Sequence, residues 1–390
     1  MKVAIVSFGH VDVILPLIKH LKRYSIIVDL YLCFSLNRKA ESILDFSDKI
    51  ISTNFTNSDK TEELLDPYIK NYLGDISNVH FFIFYNDKLR SSRNFCLTKI
   101  LAKKLKLYDI VHFNGINGVL PILIYRLRKK ELIFTIHDIR SHSGEKTRFN
   151  FTERLNKFII KSKYPVIVQN ISDFEKLRDK YYSIKEKFRF IPFGELELYR
   201  EFEIKDQKKS CSDILFFGRI SKYKGIEYLI MALEILKKRG FHYNTIIAGN
   251  GEVYFETGEL HELNILLINK HVSNSELVSL IRNTKIVVCP YTDATQSGVV
   301  MTAFAFNTPV IASDVGSFPE VVKDGITGFL VKPKDTVELA SKISILLNSP
   351  ELLKEMSNNI DLMAVSGEYS WNQIAEKVTK LYASVCEYNK

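Results

Sequence analysis

The sequence predicts an α/β protein made of two doubly wound, Rossmann-like halves. Three observations carry this. At 390 residues the chain is long for a single core. Short apolar runs alternate with helix-length stretches. The rhythm stops at a charged, core-poor stretch over 201–212 (Glu201, Lys205, Asp206, Lys208, Lys209) and then starts again.

The elements follow in order. An apolar run over 3–8 ends in Gly9-His10, and Ile14, Leu17, Ile18 and Leu21 then recur at helical spacing, which reads as strand, turn, helix. Further strands are expected at 26–33, 79–85, 110–113, 132–136, 166–169 and 188–191. Their unbroken apolar character suits parallel strands covered on both faces. After the linker come strands at 214–217, 244–248, 265–268, 286–289, 310–312 and 328–331, with helices at 225–237 and 274–282. A last helix opens at Ser370-Trp371 and runs to about Tyr388, with Ile374, Val378, Leu381 and Val385 on one side, and is expected to pack back on the N-terminal domain. The resulting division is a first domain over 1–200, a linker over 201–212, a second domain over 213–369 and a C-terminal helix over 370–390. Two such halves imply a cleft between them.

Composition excludes several classes. Hydrophobic residues make up 46% and charged residues 25%, the balance of a packed protein rather than a disordered one. No apolar run is long enough to span a bilayer, and His10 and Asp12 interrupt any signal-peptide core, so a cytoplasmic protein is expected. Cys33, Cys96, Cys211, Cys289 and Cys386 form no C-x-x-C pair, which argues against a disulfide framework or a zinc knuckle and for inert, mostly buried thiols.

Charge is uneven. Residues 1–200 hold 34 Lys/Arg and 22 Asp/Glu, a net +12, whereas residues 201–390 hold 20 and 23, a net −3. Between 101 and 130, Lys103, Lys104, Lys106, Arg126, Arg128, Lys129 and Lys130 stand against one acid, Asp109. Such a patch fits nucleic acid, an anionic membrane surface, an anionic substrate, or simply a solvated helix face. No helix-turn-helix, zinc finger or RNP pattern accompanies it, so nucleic acid is not expected.

Three segments carry chemistry. In the run from Phe217 to Ile226, Gly218-Arg219 lies just past a strand and Lys224-Gly225 opens a helix, placing two cations on the ligand-facing edge of an open sheet, as a diphosphate requires. Gly249-Asn250-Gly251 follows the next strand as a tight turn; it lacks the third glycine of a dinucleotide fingerprint, so NAD is not expected. The third runs from Tyr291 through Asp293, Gln296, Ser297, Gly298 and Val299 into an apolar helix, with Ser297-Gly298 at its start.

Together these segments resemble the donor domain of glycosyltransferase family 4, retaining enzymes of GT-B fold that use nucleotide sugars. The resemblance runs through Gly218-Arg219, Lys224-Gly225, Gly249-Asn250-Gly251, 288–291, 296–309, Gly316, Pro319-Glu320 and 324–331, about 120 residues, and more loosely through 109–112, 135–138 and 191–194. It implies a donor-binding second domain, an acceptor-binding first domain, and Gly218, Gly249, Asn250, Gly251, Asp293, Gln296, Ser297, Gly298, Val299 and Thr302 around the nucleotide sugar. It also implies that Arg219 and Lys224 neutralise the leaving diphosphate, that His137 contacts the donor sugar, and that Gly9, His10 and Asp138 line the acceptor side. The loop from His142 to Glu145 is either a flap over the acceptor or ordinary surface.

One departure stands out. The family's two glutamates would fall at Ala294 and Thr302, so both carboxylates are missing, with Asp293 and the Thr302 hydroxyl as the available substitutes. No Asp-x-Asp occurs, so no metal clamp is expected, and no cofactor either. The resemblance implies transfer on one face of the sugar, the departing phosphate taking the acceptor's proton, in bacterial surface polysaccharide or glycolipid synthesis. A UDP-sugar is the favoured donor and a GDP-sugar the alternative; the acceptor is a saccharide or is lipid-linked, with peripheral association at the inner membrane face. The other reading is a non-catalytic nucleotide-sugar-binding subunit of the same fold.

Overall fold

A computed structural model describes residues 1–37, 40–41, 43–45, 54–55, 63–75, 78–88, 91–137, 139, 151–203, 211–258, 260–294 and 298–387. The chain divides into two units, the first drawn from Met1–Ile139, Arg148–Gly194 and Trp371–Lys390, the second chiefly from Glu195–Ser370. Part of the expected linker, 204–210, lies outside the described residues.

In the first unit the strands are β1 (Lys2–Ser7), β2 (Ile27–Ser35), β5 (Asn54–Phe55), β6 (Val79–Phe84), β7 (Ile110–Asn114), β8 (Glu131–Ile136), β9 (Val166–Val168) and β10 (Phe188–Phe190), with β3 (Ala40–Glu41) and β4 (Leu44–Asp45) forming a separate small ladder. The main sheet runs β10-β9-β8-β7-β1-β2-β6-β5 and is parallel except for β5. Ser7 of β1 stands opposite Leu32 on one side and Asn114 on the other. The strand order therefore reverses between β1 and β7, a switch point of the kind that holds ligands in open α/β sheets. Val3, Ala4, Ile5 and Val6 are all fully buried, as a central strand with helices on both faces requires.

The second unit has β11 (Ser212–Phe217), β12 (Thr245–Ala248), β13 (Ile265–Ile268), β14 (Thr284–Cys289), β15 (Val310–Ser313) and β16 (Gly328–Val331), ordered β13-β12-β11-β14-β15-β16 and parallel throughout. Here the reversal falls between β11 and β14, where Leu215 stands opposite both Ile246 and Val287. The helix Thr336–Leu347 packs on Ile226–Lys238, and Pro350–Ser366 follows it.

The helix Trp371–Glu387 belongs to the first unit and packs on the helix Val11–Leu21. It buries Trp371, Ile374, Ala375, Val378, Leu381, Tyr382 and Val385, the side that its spacing marked, and each large side chain so buried contributes about 1.5–3 kcal/mol. Polar contacts fix its register: Tyr382 OH meets Nδ1 of buried His112 at 2.7 Å, and Asn372 Oδ1 meets Arg23 and His20.

One expectation needs correction. Of the five free cysteines only Cys33 and Cys289 are buried; Cys386 is half-buried, and Cys96 and Cys211 are exposed. Cys96 falls on the solvent side of the helix Ser92–Leu105, and Cys211 immediately precedes β11. No helix among the described residues is long and apolar enough to cross a membrane.

Candidate functional site

At the carboxyl edge of the second unit's sheet, glycine lets backbone meet backbone. Gly249, at φ +155°, follows β12 so closely against the turn after β11 that a β-carbon there would sit 1.9 Å from the Gly218 carbonyl oxygen. Gly251 is equally constrained, because a β-carbon would lie 2.1 Å from the Ile220 carbonyl oxygen. The turns are tied by hydrogen bonds from Gly218 N–H to the Ala248 carbonyl and from Ile220 N–H to the Asn250 carbonyl, each 3.0 Å. Asn269 clamps them from the end of β13, its amide accepting from Gly251 N–H at 3.3 Å and donating to the Gly251 carbonyl at 3.2 Å.

Lys224 ends the short turn Lys222–Lys224 that follows β11. Its ammonium donates to Tyr291 OH at 2.7 Å and lies 3.9 Å from the Tyr291 ring centre. Tyr291 is itself buried, with its ring 5.1 Å from that of Phe318. Burial, assisted by the neighbouring Arg219 charge, pushes the Lys224 pKa down to about 8. Arg219 is exposed beside it. The helix Ile226–Lys238 does not present its first N–H freely, because Tyr254 OH accepts from Ile226 N–H at 2.9 Å and donates to Glu227 at 2.7 Å. The anion attraction of this edge thus rests on the two cations more than on that helix end.

The helix Gly298–Phe304 closes the group. A methyl added at Gly218 would touch Val299 Cγ2 at 3.6 Å, so the expected residues Gly218 and Val299 are neighbours. Gly298 is exposed and Asp293 half-buried. Ala294 is buried, and its carbonyl oxygen would lie 1.8 Å from a β-carbon on Gly316. Thr302 is buried too, its hydroxyl donating to the Gly298 carbonyl at 2.6 Å. Gln296 and Ser297 lie outside the described residues. The helix is braced from below: Leu196 N–H donates to the Met301 carbonyl at 3.1 Å, and Arg200 bonds the Ala305 carbonyl while pairing with buried Glu195 at 2.9 Å.

The first unit builds a different edge. His10, in the left-handed region at φ 54°, stacks on His137 with ring centres 3.6 Å apart. His137 Nε2 meets Asn114 Oδ1 at 2.8 Å, while Asn114 Nδ2 donates to Ser7 Oγ at 3.0 Å and to the Gly9 carbonyl at 3.2 Å. A carbonyl can only accept, so the Asn114 amide has one orientation and its oxygen receives the proton from His137 Nε2. Burial, then the nearby His10, hold the His137 pKa well below the usual histidine range against the opposing hydrogen bond of the Gln169 side chain, so the ring is neutral. Gly9, His10 and His137 are thus brought together at the β1/β7 switch point. Asp138 and 142–145 lie outside the described residues. Sequence reasoning missed Asn114, although a polar residue ending an apolar strand just before Gly115 was a usable signal.

The fold is of the GT-B class. HepE of Anabaena, crystallised with UDP, superposes with a TM-score of 0.64 at 17% identity, covering 98% of this chain and 100% of that one; at that identity the likeness shows the fold alone. Residues 199–363 match the family model of group 1 glycosyl transferases. Two similar curated proteins are α-D-kanosaminyltransferase of Streptomyces kanamyceticus, 28% identical over 44% of this chain and 45% of that one, and the capsular polysaccharide biosynthesis glycosyltransferase CapM of Staphylococcus aureus, 30% identical over 43% and 44%. The aligned part thus spans less than half of either relative.

Proposed function

We propose that the protein transfers a sugar from a nucleotide sugar, most naturally a UDP-sugar, to a saccharide or lipid-linked acceptor with retention of configuration. The observation that carries this reading is the half-buried Lys224 beside Arg219 at a glycine-built sheet edge, inside the segment that matches group 1 glycosyl transferases. When the bond from the anomeric carbon to the diphosphate breaks, negative charge grows on the leaving oxygen. A positioned ammonium and guanidinium meet that charge with little reorganisation. The departing phosphate then takes the proton of the acceptor hydroxyl as the new glycosidic bond forms, so no side-chain nucleophile is assigned. His137, neutral and held by Asn114 and Gln169, presents its ring to the donor sugar. HepE is also crystallised with UDP-glucose, which supports the choice of donor class, and CapM supports a place in surface polysaccharide synthesis.

With Arg219 and Lys224 in the charge-neutralising role, transfer is expected to survive EDTA almost unchanged; strict dependence on added Mn²⁺ would overturn that part of the reading. Ala294 and Thr302 favour a second reading, a non-catalytic nucleotide-sugar-binding subunit. The two are separated by measuring donor binding, donor hydrolysis and transfer independently over a panel of UDP- and GDP-sugars. Binding with neither hydrolysis nor transfer would select the second.

A further inference from the structure

We propose that the groove between the helices Ser92–Leu105 and Leu120–Arg126 is the face by which the protein docks on an anionic lipid bilayer. The groove has a volume of about 490 Å³, and five of its eight lining residues are cations, Lys99, Lys103, Lys106, Arg126 and Arg128, with no acid among them. Lys99, Lys103 and Lys106 follow one another along one side of the first helix and its end, all exposed. The two arginines are held in place. Arg126 donates to Thr98 Oγ1 and the Phe95 carbonyl with its guanidinium 4.3 Å over the Phe95 ring; Arg128 donates to the Tyr125 carbonyl and lies 4.6 Å over the Tyr125 ring.

Apolar side chains share this surface. Phe95 is 56% exposed, Ile100 41%, Tyr125 67% and the nearby Leu107 74%. Leu101 and Leu105, next to these lysines in the chain, take no part in this surface, because both are fully buried in the core beneath the helix. The combination selects the partner. A small anion would engage the cations and leave four large apolar side chains in water. A nucleic acid would engage the cations and could stack on an aromatic ring, but it would leave the aliphatic Ile100 and Leu107 side chains in water. A bilayer with anionic headgroups engages both components, the cations at the phosphates and the apolar side chains at the acyl boundary. This inference does not depend on the sugar-transfer reading.

The test is sedimentation of the full chain with phosphatidylglycerol-containing vesicles and with neutral phosphatidylcholine vesicles. Binding to the anionic vesicles alone is expected, weakening as salt rises. Each lysine lost from such a face costs about fivefold in partitioning, so the triple variant Lys99→Ala, Lys103→Ala, Lys106→Ala should lose about 10²-fold. The double variant Ile100→Ser, Tyr125→Ser should keep its charge yet release at lower salt. Circular dichroism and thermal melting of each variant confirm its fold. Equal binding to neutral vesicles, unchanged binding by the triple variant, or a loss seen only with inorganic phosphate or duplex DNA would overturn the proposal.

Discussion

The two units put different chemistry at the same topological place. At the β1/β7 switch point of the first, side chains do the work: Asn114, Ser7 and His137 form a hydrogen-bonded, largely buried cluster on which His10 stacks. At the carboxyl end of β11 in the second, which borders the β11/β14 switch point, backbone meets the turn after β12 through Gly218, Gly249 and Gly251, and the charge comes from Arg219 and Lys224. The difference teaches that the fold supplies only the location. A glycine-built edge that carries two cations suits an anion, whereas a site built around the neutral His137 suits uncharged hydroxyls.

The sharpest way to break this comparison is to remove the charge from one edge. Lys224→Ala should cut transfer by about 10² to 10³, with Arg219→Ala alike, because each removes a preorganised partner of developing charge. Both variants should unfold at near-wild-type denaturant midpoints; near-wild-type rates at saturating donor would show that the edge has been misassigned. At the other edge, Asn114→Ala strands the His137 N–H in a buried site, while the Ser7 hydroxyl keeps its bond to the Gly9 carbonyl. It should destabilise the protein by about 1–3 kcal/mol and lower transfer by about ten- to a hundredfold while donor binding holds. Chemical denaturation with parallel nucleotide titration checks this, and loss of nucleotide binding in step with rate would contradict the division of labour.

pH separates the edges more gently. With the Lys224 pKa near 8, transfer should fall about tenfold per pH unit above that value, and Lys224→Arg should move this limb outward because a guanidinium stays charged. In the first unit, burial holds His112 down to about 3, whereas the unfolded residue titrates near 6.5. Between those values the unfolded chain binds more protons, so this contribution to stability is present above about pH 6.5 and is lost as pH falls. Acid melting curves of wild type and of a His112→Asn variant check this; an identical pH dependence in the two would remove His112 from the account.

Much of this was legible in the residues, for identifiable reasons. Strands such as Ile265–Ile268 and Gly328–Val331 fall where their apolar runs placed them, because buried parallel strands leave an uninterrupted pattern. The short strands β3, β4 and β5 left no such pattern and were not foreseen. At the site, Gly249 and Lys224 were readable because a turn beside a strand end restricts the residue type. Asn114 and the Asn269 clamp were not, since a side-chain amide that closes a long-range hydrogen bond has no local periodicity. The bracing of the helix Gly298–Phe304 by Arg200 and Glu195 was hidden for the same reason, its partners lying some hundred positions apart.

The placement of the helix Trp371–Glu387 has a consequence for biosynthesis. The first unit's sheet leaves the ribosome early, but the surface of Val11–Leu21 that receives Trp371 and the His112 nitrogen that meets Tyr382 must wait until the last helix has been translated. The second unit, whose main segment is continuous from Glu195 to Ser370, has all of its strands in hand sooner. The half made first is therefore completed last, and until then it exposes an apolar strip that a nascent-chain chaperone would be expected to cover.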